Sequence, residues 1–148
     1  GTGGALKLAT AKLEETFLLF NGDSYLPMPY QEFLDSFDPQ SSVGLVAVYN
    51  NNARVIDVAG NVFLNGRNRM SGYSKNPASP TAFIDAGVSL WQKRVTSHIP
   101  KGWCALEEEI YPMLIQTGKL QTFITTQRFY DMGTPERLKL FSEYLRLP

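Results

Sequence analysis

The sequence predicts an α/β protein with a mixed, mainly parallel sheet flanked by helices. Two apolar runs, residues 16–20 and 42–49, have the length and composition of buried strands. Between them, residues 30–37 carry apolar side chains at helical spacing and follow two prolines. A strand, a helix and a second strand in this order form a βαβ unit, which places parallel strands in one sheet.

The other elements are predicted from the same two periodicities. Asn65-Gly66 is a typical hairpin turn between two short, more polar strands. Thr134 followed by Pro135 is a typical helix start. The remaining predictions are a helix opening at Leu6, a strand over residues 81–91, a helix over 105–117, a β-rich stretch over 120–130 and a final helix with Leu138, Phe141 and Leu145 facing inward.

Composition narrows the classes of function. The 148 residues fit one domain, 1–148, and 14 basic residues balance 14 acidic ones without any basic run, which argues against a general nucleic-acid binder. The single cysteine, Cys104, and the single histidine, His98, form neither a disulfide framework nor a zinc-site spacing, so a reducing, cytoplasmic setting is expected. No apolar run approaches the length of a membrane span.

Two aspartates at strand ends are the first candidates for chemistry. Asp23 follows the apolar run 16–20 directly, in Asn21-Gly22-Asp23-Ser24, and Asp131 ends the β-rich stretch ahead of the final helix. Ligands of open α/β sheets bind beyond the carboxyl ends of the strands, so acids at these positions face the place of a phosphate or a metal. The alternative is an ordinary strand-to-loop turn, which has the same composition.

Three further features are candidates for binding. Asp85 stands inside an apolar strand, where a carboxylate is costly unless it is paired, so it either serves the structure or lines a polar site, and Gly87 would let a ligand approach closely. Lys75 is a candidate phosphate contact or a solvated lysine. The acidic residues 107–109 are interpreted as a solvated, dipole-favoured helix start rather than as paired catalytic carboxylates.

Five stretches in this order resemble the sugar nucleotidylyltransferase family, whose members join a nucleoside triphosphate to a sugar 1-phosphate. The resemblance spans essentially the whole chain and is most similar to the guanylyltransferase branch that acts on mannose- or heptose-type sugar phosphates. The stretches are Gly1-Thr2-Gly3-Gly4-Ala5-Leu6, Phe20-Asn21-Gly22-Asp23, Tyr73-Ser74-Lys75, Ile84-Asp85-Ala86-Gly87-Val88 and Phe129-Tyr130-Asp131-Met132-Gly133-Thr134-Pro135-Glu136.

The resemblance implies a Rossmann-like nucleotide-diphospho-sugar transferase fold and a role for each motif. It implies that Asp23 and Asp131 hold an essential Mg²⁺ and that Lys75 meets the phosphate of the sugar substrate. It further implies that Gly3 and Gly4 lie under the nucleobase and ribose and that Asp85 contacts sugar hydroxyls. Asn21 and Gly87 are the other implied substrate-binding residues. The partners would be a nucleoside triphosphate, with GTP favoured, and a sugar 1-phosphate, without a nucleic-acid polymer or a membrane.

The chain departs from the family pattern in three places. The family's arginine-containing triphosphate loop normally precedes the region where this chain begins. The fold is therefore expected to be N-terminally incomplete, and the chain alone is expected to be inactive. An incomplete sheet exposes an edge strand, which we expect to be covered by self-association or by a partner. Next to Lys75, Ser74 stands where the family usually has an acidic residue, and Asn76 stands where it usually has a proline. Asp85 stands where the family usually has an asparagine. A non-catalytic nucleotide-sugar-binding or regulatory homologue therefore remains an alternative. A metal-dependent glycosyltransferase is less favoured, because Asp23 lacks the Asp-x-Asp neighbour.

Overall fold

A computed structural model describes residues 1–146 of the chain, so the last two residues of the predicted single domain lie outside the described part. Two 3₁₀ segments, Thr10–Lys12 and Lys93–His98, and a π-helical turn, Leu106–Ile110, connect the regular elements. The strands are β1 (Thr16–Phe20), β2 (Ser24–Tyr25), β3 (Gly44–Asn50), β4 (Val62–Leu64), β5 (Met70–Tyr73), β6 (Phe83–Gln92), β7 (Leu120–Thr125) and β8 (Tyr130–Asp131), and the α-helices are α1 (Thr2–Ala9), α2 (Tyr30–Asp35), α3 (Tyr111–Gln116) and α4 (Pro135–Tyr144).

The main sheet has six strands in the order β5-β4-β6-β3-β7, with β1 beside the second half of β6. The predicted mixed α/β class is confirmed, but the mainly parallel direction is wrong. Among the described residues only β3 and β7 pair in parallel, whereas β1, β3 and β4 all run antiparallel to β6. An apolar run indicates that a strand is buried on both faces, but it does not indicate whether the strand runs parallel or antiparallel to its neighbours. The predicted strand direction was therefore wrong.

The first strand differs from its predicted environment. β1 was expected to be a buried parallel strand, but it lies at the rim and pairs with β6 alone among the described strands. Its burial alternates, and Leu18 and Phe20 are 37% and 48% exposed. β1 and β3 run in the same direction but are separated by the antiparallel β6, so the βαβ unit is not formed by neighbouring strands.

Hydrophobic cores cover both faces of the sheet. Successive residues of β3 alternate between them, with Val46 and Val48 in one core and Leu45 and Ala47 in the other, as the two-residue period of a strand requires. The first core includes residues of α1, α3 and the π-helical turn, and the second includes Phe33 of α2. Helices therefore flank the sheet on both sides, as predicted.

Four further local predictions can be compared with the structure. The hairpin around Asn65-Gly66 is present as β4 and β5. The predicted helix over residues 105–117 is divided into the π-helical turn and α3, and the stretch 120–130 is divided into β7 and β8. The inward stripe of α4 is wrong for Leu138 and Leu145, which are 49% and 61% exposed. Phe141 does pack inward, against Tyr25 and Tyr130 of the β2–β8 ribbon, and Tyr144 joins it there.

The helices described by the structure are short. Over residues 1–146, none has both the length and the apolar character that crossing a lipid bilayer would take. The longest α-helix is α4, with 10 residues.

Candidate active site

Asp23 and Asp131 are brought together by the ribbon of β2 and β8. Ser24 pairs with Asp131 in this ribbon, and the Met132 amide donates a hydrogen bond of 2.7 Å to the Asp23 carbonyl oxygen. Each strand of the ribbon has two residues. Backbone hydrogen bonds therefore hold two acids together that lie far apart in the sequence.

The two carboxylates face one point beside Gly133. A Cβ atom placed on this glycine would lie 3.0 Å from Asp131 Oδ1 and 3.6 Å from Asp23 Oδ2. Asp23 is exposed and Asp131 is 28% exposed, so solutes can reach both. Mg²⁺ is usually held by one or two carboxylates, with substrate phosphates and water as its other ligands, and this donor set fits that pattern. No cluster of three or more His, Cys, Asp or Glu side chains suited to a metal occurs in the described part of the chain.

Asp131 is also held by two donors of its own segment. The Gly133 amide donates to Oδ1 at 2.7 Å, and Arg137 Nη1 donates to Oδ2 at 2.6 Å. Arg137 was not a candidate from sequence, because an arginine in the first turn of an amphipathic helix resembles any solvated charge. Its contact with a site carboxylate emerges only from the ribbon geometry.

A bulge in β6 brings Gly87 against the loop that carries Asp23. The register of β3 and β6 shifts between Val46 and Val48, and Gly87 has φ +73°. A Cβ there would lie 2.7 Å from Ser24 Oγ, while the Asn21 amide donates 2.8 Å to the Gly87 carbonyl oxygen. Glycine is needed for both conformation and space. Asn21 and Gly87 thus join β6 to the carboxylate loop, and their contact with substrate stays a prediction.

Asp85 is hydrogen-bonded inside the sheet, two residues before this glycine. Its Oδ1 accepts from the Gly87 amide at 3.0 Å, and its Oδ2 accepts from the Tyr111 hydroxyl at 3.1 Å. Burial raises the pKa of Asp85 to about 6, although these two hydrogen bonds oppose the shift. The carboxyl group is therefore structurally paired and unusually easy to protonate, and its contact with substrate stays a prediction.

Two tyrosines line the Asp85 side of the site. The rings of Tyr73 and Tyr111 meet edge to face, with centroids 5.6 Å apart. Burial, followed by the charge of Asp85, raises the pKa of both hydroxyl groups above their ordinary value. Both are therefore neutral at physiological pH and can donate hydrogen bonds.

Lys75 forms an ion pair that the sequence did not indicate. Its Nζ lies 3.0 Å from Glu108 Oε1, and the two side chains are 57% and 46% exposed. A pair this exposed is weak and can be exchanged for another anion. Lys75 can therefore reach a phosphate, provided that the phosphate displaces Glu108.

The predicted solvated helix start at residues 107–109 is confirmed for Glu108 and Glu109, which are exposed in the first turn, but not for Glu107. Glu107 is partly buried, and its Oε2 accepts a hydrogen bond of 2.9 Å from the Thr2 hydroxyl. Its charge contributes to the raised pKa of Asp85. The Glu109 carboxylate accepts a hydrogen bond from the Ala105 amide at 2.9 Å, as is expected of an acid at a helix start. The π-helical turn that carries these residues has no sequence signal.

Gly3 and Gly4 lie inside α1 rather than in a loop before it. Both are buried against the segment that contains Cys104, where a Cβ on Gly3 would lie 2.8 Å from Cys104 Sγ. The Gly4 amide donates to the Cys104 carbonyl oxygen at 3.2 Å. Close packing thus explains why both residues lack side chains, and their place under a nucleobase stays a prediction.

A groove of about 740 Å³ runs between α1 and β1 and ends at the carboxylate loop. Leu6, Phe17 and Phe20 are among its apolar lining residues, and Thr2, Asp23 and Glu107 are among its polar ones. A second cavity of about 940 Å³ lies between residues 51–60 and 75–82, with Lys75 in its lining. The structure thus gathers Asn21, Asp23, Gly87 and Asp131 into one cluster, to which Asp85 is joined by its hydrogen bond from the Gly87 amide. Lys75 pairs with Glu108 instead of with a member of this cluster.

Solved structures share the mixed α/β fold of this chain. The crystal structure of HddC from Yersinia pseudotuberculosis matches with a TM-score of 0.78 and 24% identity over 99% of this chain and 63% of that chain, and it has also been solved as a complex with GMP-PN. A putative glucose-1-phosphate thymidylyltransferase from Bacillus anthracis, solved in complex with a sucrose, matches with a TM-score of 0.79 and 19% identity over 99% of this chain and 61% of that chain. At these identities the structures show the fold alone.

A curated protein is also similar to this chain in sequence. The mannose-1-phosphate guanylyltransferase of Mycobacterium tuberculosis is 30% identical over 142 residues, which cover 92% of this chain and 39% of that protein. The chain thus spans about two fifths of the length of this curated relative. No family model matches the chain. These findings confirm the resemblance of the chain to the sugar nucleotidylyltransferase family.

Proposed function

We propose that this chain is the later part of the catalytic domain of a Mg²⁺-dependent sugar-1-phosphate nucleotidylyltransferase. The observation that carries the proposal is the pairing of Ser24 with Asp131, which turns both Asp23 and Asp131 toward one point beside Gly133. The chain spans 39% of the mycobacterial relative, so the activity is proposed for the whole protein to which these residues belong.

Asp23 and Asp131 would hold the Mg²⁺. When bound, the ion would offset the negative charge of the phosphates. The protein's own contribution is that the β2–β8 hydrogen bonds hold the backbones of the two aspartates side by side before any ligand arrives. Prearranged charge of this kind requires no reorganisation during the reaction.

In the proposed reaction, a phosphate oxygen of the sugar 1-phosphate attacks the α-phosphorus of the nucleoside triphosphate. The new P–O bond forms as the bond to the β-phosphate oxygen breaks, and pyrophosphate leaves. Lys75 would bind the sugar phosphate and hold it in line for attack. The attacking group is already ionised at neutral pH, so the mechanism asks for neither a protein nucleophile nor a histidine base.

The remaining candidates are proposed to recognise the substrates. Asp85 would meet sugar hydroxyls, with Gly87 and Asn21 beside it, while Gly3 and Gly4 would lie under the nucleobase and ribose. GTP and a mannose- or heptose-type sugar phosphate are proposed as substrates. The names of the mycobacterial relative and of the HddC complex with GMP-PN support this choice.

A pyrophosphate-release screen tests the proposal. Each of the common nucleoside triphosphates is combined with several sugar 1-phosphates and Mg²⁺, using both this chain and the longer protein that the resemblance implies. We expect release by the longer protein with GTP and a mannose- or heptose-type sugar phosphate. Release with none of the pairs would contradict the proposal.

The second candidate function is a nucleotide-sugar-binding or regulatory homologue without turnover. The observation that favours it is the Lys75–Glu108 ion pair, because it occupies the proposed phosphate contact with a carboxylate of the chain itself. The same screen separates the two candidates when nucleotide-sugar binding is measured beside pyrophosphate release. Binding without release would favour this second candidate.

Changes at Lys75 and Glu108 are expected to move the KM for the sugar 1-phosphate in opposite directions. Lys75→Gln removes a charge-assisted contact and should raise KM about tenfold or more. Glu108→Gln removes the competing carboxylate and should lower KM by up to about fivefold, the range for an exposed ion pair. Initial rates at varied sugar-phosphate concentration measure both effects.

Glu14→Gln serves as the control, since it also removes an exposed carboxylate, on the segment before β1. Its KM should equal that of the unmodified protein. An unchanged KM in Lys75→Gln would remove Lys75 from the proposed substrate contacts.

The isolated chain is expected to self-associate through the outer edge of β1. The exposed Leu18 and Phe20 lie on this strand, and strands at a sheet edge invite pairing with another chain. Leu18→Lys should shift the chain toward monomer in light scattering over a range of concentrations. Val55→Lys, which changes a 57% exposed residue in a loop, is the matched control. A monomer at every concentration of the unmodified chain would contradict the expectation.

A cytoplasmic location is also proposed. Its support is that Cys104, which is buried, is the one cysteine of the chain, so no disulfide can form within it. Disulfide-free proteins are typical of reducing compartments. Fractionation of cells that produce the tagged full-length protein would test this location.

A further inference from the structure

Asp131 is engaged on both of its carboxylate oxygens before any ligand is considered. Oδ1 accepts from the Gly133 amide at 2.7 Å and is the oxygen near the point shared with Asp23. Oδ2 accepts a hydrogen bond from Arg137 Nη1 at 2.6 Å. The Arg137 side chain is 41% exposed and that of Asp131 is 28% exposed. The guanidinium therefore binds the oxygen that the proposed cation does not need.

Arg137 is held in place by the start of α4. The helix begins at Pro135 and is capped by Thr134, whose hydroxyl accepts from the Arg137 amide at 3.3 Å. This puts a positive side chain in the first helical turn, where the helix dipole disfavours it and favours acids. Helix stability therefore gives no reason for an arginine at this position, whereas the ion pair with Asp131 does.

We propose that Arg137 is a positioning residue for the metal carboxylate Asp131. It fixes the rotation of that side chain so that Oδ1 faces Asp23, and its charge offsets part of the repulsion between the two acids when no cation is present. The inference rests on the proposed function, since it assumes that a divalent cation binds between the two aspartates. It adds a residue that the family resemblance did not supply.

Two effects of removing Arg137 oppose each other. Loss of the guanidinium lets Asp131 rotate, which weakens cation binding, but it also removes a positive charge, which strengthens it. Partners that orient a metal ligand typically contribute a factor of about 10 to 100 in metal affinity. The charge of an Arg137 that is 41% exposed and already paired is screened by solvent, so orientation should dominate.

Mn²⁺ titration, followed by electron paramagnetic resonance of the unbound ion, tests the inference independently of turnover. The proteins compared are the unmodified protein and the variants Arg137→Met, Arg137→Lys, Asp131→Asn and Lys139→Met. We expect Arg137→Met to weaken Mn²⁺ binding about tenfold or more and Arg137→Lys to fall in between, because it keeps the charge without the planar fork. Lys139→Met, which removes a charge from the same helix, should bind as the unmodified protein does.

The outcomes separate this inference from the proposed function. Unchanged or tighter Mn²⁺ binding by Arg137→Met, with binding lost in Asp131→Asn, would overturn the positioning role and leave the cation site standing. Equal binding by the unmodified protein and Asp131→Asn would overturn both. Urea unfolding of each variant accompanies the titration, and Arg137→Lys decides the matter if Arg137→Met does not fold.

Discussion

Asp131→Asn is expected to lower pyrophosphate release by at least about a hundredfold, and Asp23→Asn should do the same. Each change removes one of the two negative charges that face the point beside Gly133. A neutral amide is a poor ligand for a hard cation, so the phosphates would lose the charge that offsets their repulsion. Steady-state rates with saturating substrates and varied Mg²⁺ measure the effect in the full-length protein.

The fold should survive both changes. Asp23 is exposed, and the Asp131–Arg137 pair is partly exposed, so its loss should cost no more than about 1 kcal/mol of unfolding free energy. Asp35→Asn, on the exposed side of α2, is the matched control and should keep full activity. Unmodified rates in both Asp23→Asn and Asp131→Asn would remove the enzymatic proposal.

Asp85 is expected to make the protein less stable as pH rises from about 4 to about 6. Its pKa is about 6 in the folded protein and near 3.8 in the unfolded chain, so the folded state favours the protonated form. Stability from this group is therefore fully present below about pH 4 and is lost as pH passes 6. A shift of about two units corresponds to a loss of up to about 3 kcal/mol.

Asp85→Asn should remove this pH dependence and stabilise the protein above pH 6. Its side-chain oxygen can still accept from the Gly87 amide, and the Tyr111 hydroxyl can accept from its NH₂ group. The substitution also restores the asparagine usual in the family. Urea unfolding of both proteins from pH 4 to pH 8 gives the difference as a function of pH.

Tyr111→Phe is the matched variant with the opposite effect. The Tyr111 hydroxyl donates to the Asp85 carboxylate and lowers its pKa, so its removal should shift the stability loss to higher pH. A difference between the unmodified protein and Asp85→Asn that does not change between pH 4 and pH 8 would contradict the account of Asp85.

Sequence patterns located most of the helices and strands but did not predict how the strands pair. The runs that became β3 and β6 were recognisable because buried strands are continuously apolar. Their antiparallel pairing was not, because burial carries no information about direction. The two-residue strands β2 and β8 are too short for any periodicity, yet they bring Asp23 and Asp131 together.

The same limit explains the site residues that the sequence missed. Glu108 and Arg137 both stand in first helical turns, where charged side chains are commonplace and usually solvated. Their partners, Lys75 and Asp131, could be nominated because strand ends and motif resemblance single them out. The partnerships themselves depend on tertiary contacts, which a single sequence does not encode in any local pattern.

Anomalous diffraction from crystals of the protein soaked with Mn²⁺ and a nucleoside triphosphate tests the central claim most directly. We predict one strong peak between Asp23 and Asp131. One oxygen of each carboxylate should lie close to the roughly 2.0–2.1 Å from the metal that Mg²⁺ requires, and a phosphate oxygen should be a further ligand. A peak bound to only one of these aspartates, or a site elsewhere in the protein, would contradict it.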